Sequence, residues 1–197
     1  MQQTAKRKVG GAILAAALAF MLCPAMALAQ EPDYDALLAE QKAAMARFAS
    51  MDGEWRGTVT STGPMGEIEL TQTERVGTMA GGVSRLVEGR GYGPDGTLMF
   101  NAVAMITYDP LKDEYVMVST ARGMTARPWF EATEVGFRWG VNSGPMKITY
   151  DAVLKGGRWV EVGYTQMGDQ PRQKFLEMEL ERIGDTSWPQ EGIVGPQ

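Results

Sequence analysis

The chain has 197 residues, 19 of them basic and 24 acidic, with no histidine and a single cysteine. Without His it lacks the commonest general base, metal ligand and haem-iron ligand, and with them the Ser-His-Asp and Cys-His catalytic arrangements. A net charge of −5 argues against nucleic acid and anionic membrane surfaces, both of which need a positive patch.

Lys6, Arg7 and Lys8 precede an apolar run from Val9 to Leu22, and Ala27-Leu28-Ala29 follows before Gln30. Positive start, apolar middle and small residues at −3 and −1 read as a cleavable signal peptide over residues 1–29. The run is short for a membrane span. Leu22 before Cys23 and Pro24 after it do not suit a lipid-anchored cysteine, so cleavage is expected after Ala29. The mature protein is then periplasmic or extracellular, with no transmembrane segment. Cleavage removes three of the 19 basic residues and none of the 24 acidic ones, leaving net −8. Cys23 leaves too, so stability must come from packing and backbone pairing without disulfides.

Residues 30–52 form an N-terminal segment in which 33–49 read as one amphipathic helix. Asp33 stands as its N-cap, and Tyr34, Leu37, Leu38, Gln41, Met45 and Phe48 fall near one face. From Glu54 the period changes to alternation, cut by turn signals such as "STGPMG", "MAGG", "GPDG", "DPLKDE", "NSGP" and "KGG". Ten strands are expected, near 54–61, 67–78, 83–92, 97–108, 114–121, 127–135, 137–142, 145–154, 158–167 and 171–183. Tight turns make neighbours antiparallel, and pairing of the first and last strands would remove exposed edges. The expectation for residues 53–183 is an all-β, ten-stranded antiparallel up-and-down barrel, with a sandwich as runner-up. In "RQKFLEMELERI" Glu177, Glu179 and Glu181 alternate with Leu176, Met178 and Leu180, which reads as a water-soluble barrel with glutamates outside. Residues 184–197 read as a mobile tail, unless Trp188 plugs one barrel end.

At "GEWRGTV", 53–59, a Gly-x-Trp opening the first strand resembles the calycin superfamily of lipocalins and fatty-acid-binding proteins. A longer ordered set is similar to a bacterial family of secreted lipocalin-like proteins known as a domain of unknown function. The set comprises "TQTERV" at 71–76, "EGRG" at 88–91, "YDP" at 108–110, "GFRWG" at 136–140, "GRWVEVGY" at 157–164 and "FLEMEL" at 175–180. The resemblance implies a small barrel with an internal cavity and no particular reaction. Related ten-stranded barrels that hold haem use a His, so no haem is carried over.

Alternation nominates the lining. Ile68, Leu70 and Val76 share a face with Gln72 and Glu74, and an internal carboxylate needs a partner or takes up a proton. Arg85, on a face with Val83 and Val87, is the candidate partner. Trp159 and Glu161 share one face of their strand, while Val160, Val162 and Tyr164 share the other. Either Glu161 is a second internal acid, or its face is solvent, which is the preferred reading; the same choice covers Glu131 and Glu134. Two internal acids would permit glycoside-type hydrolysis. Trp139, Tyr150 and Tyr164 add aromatic bodies with polar tips, which suit a partly apolar ligand and a plain core alike. The methionines are scattered, without the cluster a copper(I) site needs. The expected function is a barrel binding a small, mostly apolar or amphipathic molecule through Glu74, Arg85, Trp139, Tyr150, Glu161 and Tyr164, with no catalytic residue, metal or cofactor. The alternatives are a carboxylate-dependent hydrolase and an interaction module with a filled barrel. Oligomeric state stays open.

Overall fold

The computed structural model describes residues 31–64, 66–191 and 194; the segment read as a signal peptide lies outside the described residues. Helix α1 spans Tyr34–Ala46, and the Ala36 amide donates to Asp33 Oδ1 at 3.0 Å, so Asp33 caps it as expected. Only its last part packs. Tyr34 is 73% exposed, whereas Met45, Phe48 and Met51 are buried in a plug that continues into Trp55. The helix ends before Phe48, and a short 3-10 turn at Ala49–Met51 carries the chain into the first strand.

Among the described residues eleven strands follow: β1 Gly53–Gly63, β2 Gly66–Met79, β3 Ser84–Tyr92, β4 Leu98–Asp109, β5 Glu114–Ala121, β6 Met124–Ala126, β7 Trp129–Ala132, β8 Gly136–Ser143, β9 Met146–Lys155, β10 Arg158–Met167 and β11 Gln173–Gly184. They form one antiparallel sheet in the order β6-β5-β4-β3-β2-β1-β11-β10-β9-β8-β7, curled as in lipocalin-like all-β barrels. Sequential neighbours pair because the turns are tight; Gly156 and Gly157, at φ 61° and 75°, make the two-residue β9–β10 turn that right-twisted strands favour. The first and last strands do pair, with Gly57 opposite Leu180 and Val59 opposite Met178.

Ten strands became eleven at Arg127-Pro128. The piece before it, β6, bonds only β5, and the piece after it, β7, bonds only β8. β7 falls within the expected strand 127–135, whereas β6 is an additional short strand before it; proline has no N–H to donate, and at Pro128 the chain passes from one edge of the sheet to the other. Side chains close the seam: Phe48 lies edge-on to Tyr115 and Phe130, with ring centres at 5.2 and 5.4 Å. On β11, Met178 and Leu180 are buried, while Glu179 and Glu181 are exposed, the expected inside-outside register.

The two ends of the barrel differ. At the α1 end the interior is filled by Met45, Phe48, Met51, Trp55, Val76, Ile106, Trp159 and Leu180. Gln41 Nε2 donates to the Tyr108 carbonyl at 2.7 Å, and the Tyr115 hydroxyl donates to the Ala44 carbonyl at 3.2 Å, which tie the helix down. At the opposite end inward positions open to solvent. Along the inner face of β2, Ile68 is 45% exposed, Gln72 5% and Val76 0%. On β4, Phe100 is part-buried whereas Ile106 is buried.

Candidate functional site

The boundary between the filled half and the open half is polar. Glu74 stands on β2 between Trp55 of β1 and Gly89 of β3. A Cβ at position 89 would lie 2.7 and 2.8 Å from the two Glu74 carboxyl oxygens, so only glycine leaves room for that side chain. Gln72, two residues back on the same face, donates from Nε2 to Glu74 Oε1 at 2.7 Å. Gly91 gives Gln72 similar clearance, since a Cβ there would be 3.2 Å from its Oε1. The alternating glycines of "EGRG" thus face inward and form the bed for two polar side chains.

Glu161 faces the same interior from β10, between Ala152 and Met178. It is 8% exposed, which corrects the preference for a solvent-facing Glu161. Trp159, two residues earlier, points inward with it and packs edge-on against Trp55 and Phe137. Trp139 Nε1 donates to Glu161 Oε1 at 3.3 Å, and its ring stacks on Tyr150 with centres 4.0 Å apart. Among the described residues, Trp159 Nε1 is a buried donor with no hydrogen-bond partner. It is near enough to favour charge on Glu161 without meeting it in bonding geometry.

Burial dominates the electrostatics. It pushes the Glu74 carboxyl up to about 8, opposed by the Gln72 hydrogen bond and assisted by the charges of Glu161 and then Glu88. Glu161 is pushed up to about 7 by burial, opposed by the indole N–H groups of Trp139 and Trp159. Tyr150 rises to about 12 through burial and the Glu161 charge. At neutral pH the interior therefore holds two carboxyls close to their point of ionisation, near enough for the charge of Glu161 to raise Glu74. Among the described residues no group of three or more His, Cys, Asp or Glu is arranged to hold a metal ion.

Two expected members of the site are elsewhere. Arg85 does not pair with Glu74. Its Nε and Nη2 donate to Asp52 at 2.8 and 3.2 Å, and its Nη1 donates to the Met45 carbonyl. Register explains this: Arg85 lies opposite Thr78, four residues along β3 from the Gly89 that faces Glu74, or about 13 Å of strand. Arg85 is thus an anchor for the helix plug. Tyr164 is on the outer face, with the Arg172 guanidinium 3.9 Å above its ring. A bulge after Gly163 leaves Phe175 unpaired, and that ring, not Tyr164, sits edge-on to Tyr150. Glu131 faces outward within 4.0 Å of Arg138, and Glu134 is exposed in a turn. Of the expected lining, Glu74, Glu161, Trp139 and Tyr150 come together. Sequence reasoning missed the free indole N–H of Trp159 and the two glycines; position alternation from Glu74 and Glu161 was the available signal.

Outside the barrel, a cleft of about 330 Å³ separates β2 from residues 186–191, where the Arg75 guanidinium lies 4.5 Å above the Trp188 ring and Gln190 donates to Thr78. Trp188 therefore covers the outer face of β2 and does not plug a barrel end. Clefts of about 170 and 270 Å³ flank the helix plug. None of these three touches the internal carboxyls.

No protein-family model and no curated protein matches the chain. Among solved structures, Rv2717c from M. tuberculosis superposes with a TM-score of 0.54 at 11% identity, over 71% of this chain and 97% of that one. Apocrustacyanin C2 and lobster apocrustacyanin A1 each give a TM-score of 0.34, at 13% and 14% identity, over 77% of this chain and 69% of theirs. The likeness to Rv2717c shows a shared all-β barrel architecture.

Proposed function

We propose that this chain is a binding protein of the secreted lipocalin-like type, acting in the periplasm or outside the cell, which takes one small, mostly apolar molecule into the open half of its barrel. The observation that carries the reading is the gradient of burial along the inner faces. Apolar side chains at Ile68, Leu70 and Phe100 are left partly wet, and below them lies a polar floor with an unpartnered donor. A buried polar group without a partner costs free energy, and in a binding site that cost is removed by the ligand. Glu74, Glu161, Trp139 and Tyr150 supply the polar and aromatic contacts; Arg85 and Tyr164 take no part.

A carboxylate-dependent hydrolase is less well supported. Acid and base roles call for environments that drive two carboxyls apart in pKa, whereas both here are driven upward. A barrel filled with its own side chains describes the helix half alone. Native mass spectrometry of the full chain purified from its own host is the test, together with uptake of an apolar fluorescent dye. A retained small molecule, or dye uptake lost in Ile68→Arg, supports binding; a bare mass and no dye uptake overturns it. An N-terminus at Gln30 in the exported protein would support the assigned compartment.

A further inference from the structure

Resting on that reading, we infer that the ligand's polar end is a cationic amine, seated between Glu74 and Glu161 against the aromatic wall of Trp139, Tyr150 and Trp159. The first ground is the inventory of charge. Inward-facing side chains around the floor supply two carboxyls, from β2 and β10, and the tyrosine hydroxyl of Tyr150 from β9. The cation on the inner face of β3, Arg85, is 3% exposed and already bonded to Asp52 and the Met45 carbonyl. Glu88 is on the outer face, held by Arg75 and Arg90 at 2.7 Å each. Among the described residues the floor offers a carboxylate ligand no free counter-ion and two acids to repel it; Arg122 lies instead over the Phe100 ring of the open half, at 5.9 Å. An ammonium group would ionise both.

The second ground is a donor beside Glu161. The indole N–H of Trp159 is buried without a hydrogen-bond partner, close enough to Glu161 to favour its charge. The stacked pair Trp139–Tyr150 stands beside the same carboxyl, and aromatic faces attract cations. The Trp159 N–H then donates to a hydroxyl or ether oxygen beside the amine, so an amino alcohol is the best-fitting head group.

Binding of the cation displaces protons from Glu74 and Glu161. Amine affinity should therefore rise with pH through the range in which the two carboxyls ionise, about 7 for Glu161 and about 8 for Glu74, and level off only above it. A neutral ligand accepting hydrogen bonds from the protonated acids would show the opposite trend.

The experiment uses the full chain and three probes of one chain length, octylamine, octanol and octanoate, titrated by tryptophan fluorescence and calorimetry from pH 6 to 8.5. The expected order is octylamine tightest, by about tenfold or more over octanol, with octanoate weakest; tenfold corresponds to about 1.4 kcal/mol. Octylamine affinity should climb across the range, and Glu74→Gln and Glu161→Gln should each lose about tenfold toward the amine while keeping octanol binding. Retained octanol binding also shows that the variants fold. Octanol or octanoate binding as tightly as the amine, or amine binding that weakens as pH rises, overturns the amine assignment and leaves the binding reading standing. No binding of any of the three overturns both.

Discussion

The Glu74→Gln variant should flatten the dependence of stability on pH, and the absence of His makes the effect legible. Glu74 and Glu161 have folded-state pKa values of about 8 and about 7, raised from 4.5 by burial. Between pH 5.5 and 6.5 the folded chain keeps both protons and the unfolded chain has released them. The native state binds more protons, so stability falls as pH rises. Each proton contributes about 1.4 kcal/mol per pH unit, giving about 3 kcal/mol lost across that unit in the wild type and about half of that in Glu74→Gln. The shifts of four other groups act outside this window. Glu88, held low chiefly by its Arg90 hydrogen bond, and Asp109, held low by Lys112, contribute stability that is complete above their unfolded pKa and lost only in stronger acid. Tyr108 and Tyr150, both near 12, ionise far above it. Gln at position 74 can still accept from Gln72, so the hydrogen bond at 2.7 Å is preserved. Urea unfolding at pH 5.5, 6.0 and 6.5 reads the slopes directly. A wild type whose stability is level or rising over this range, or a variant with an undiminished slope, would refute the burial of these carboxyls.

Gly89→Ala places a methyl against the Glu74 carboxyl and should destabilise by about 1–3 kcal/mol in urea unfolding, with much less loss in a Gly89→Ala, Glu74→Ala double variant. Arg85→Met strips the Met45 carbonyl and Asp52 of their donor and should cost about 2–4 kcal/mol, with Arg85→Lys recovering little because one ammonium cannot make three spread contacts. Phe48→Ala removes the ring shared by Tyr115 and Phe130, at about 3–5 kcal/mol by chemical denaturation. Hydrogen exchange in that variant should accelerate first in β6 and β7, the strands that the seam holds; uniform acceleration would mean that the ring supports the whole core instead.

Periodicity and turn chemistry carried most of the strand boundaries. "KGG", "NSGP" and "GPDG" sit at real turns, and Glu177, Glu179 and Glu181 alternate correctly with buried Met178 and Leu180. The extra strand β6 was not legible, because the expected strand begins only at Arg127 and the glycine-led stretch before it reads as a turn. The helix was legible and its buried face was not. Tyr34 fits the apolar stripe yet stands in solvent, because only the end of α1 reaches the barrel. Within the site, Glu74 could be assigned to an interior face because Ile68, Leu70 and Val76 bracket it. Glu161 could not, because its strand is apolar on both faces and a period of two then carries no sign.

The missing histidine, the antiparallel connectivity and the alternation of faces belong to the amino-acid order, since connectivity and alternation depend on residues within a few positions of one another. Partner choice does not. That Arg85 serves the helix segment and Asp52 while Glu74 lies opposite Gly89 was decided by inter-strand register, which sets distances between residues far apart in the chain. One half of the barrel is full and the other open because Met45, Phe48 and Met51, from the segment outside the sheet, join the inward strand residues at one end only.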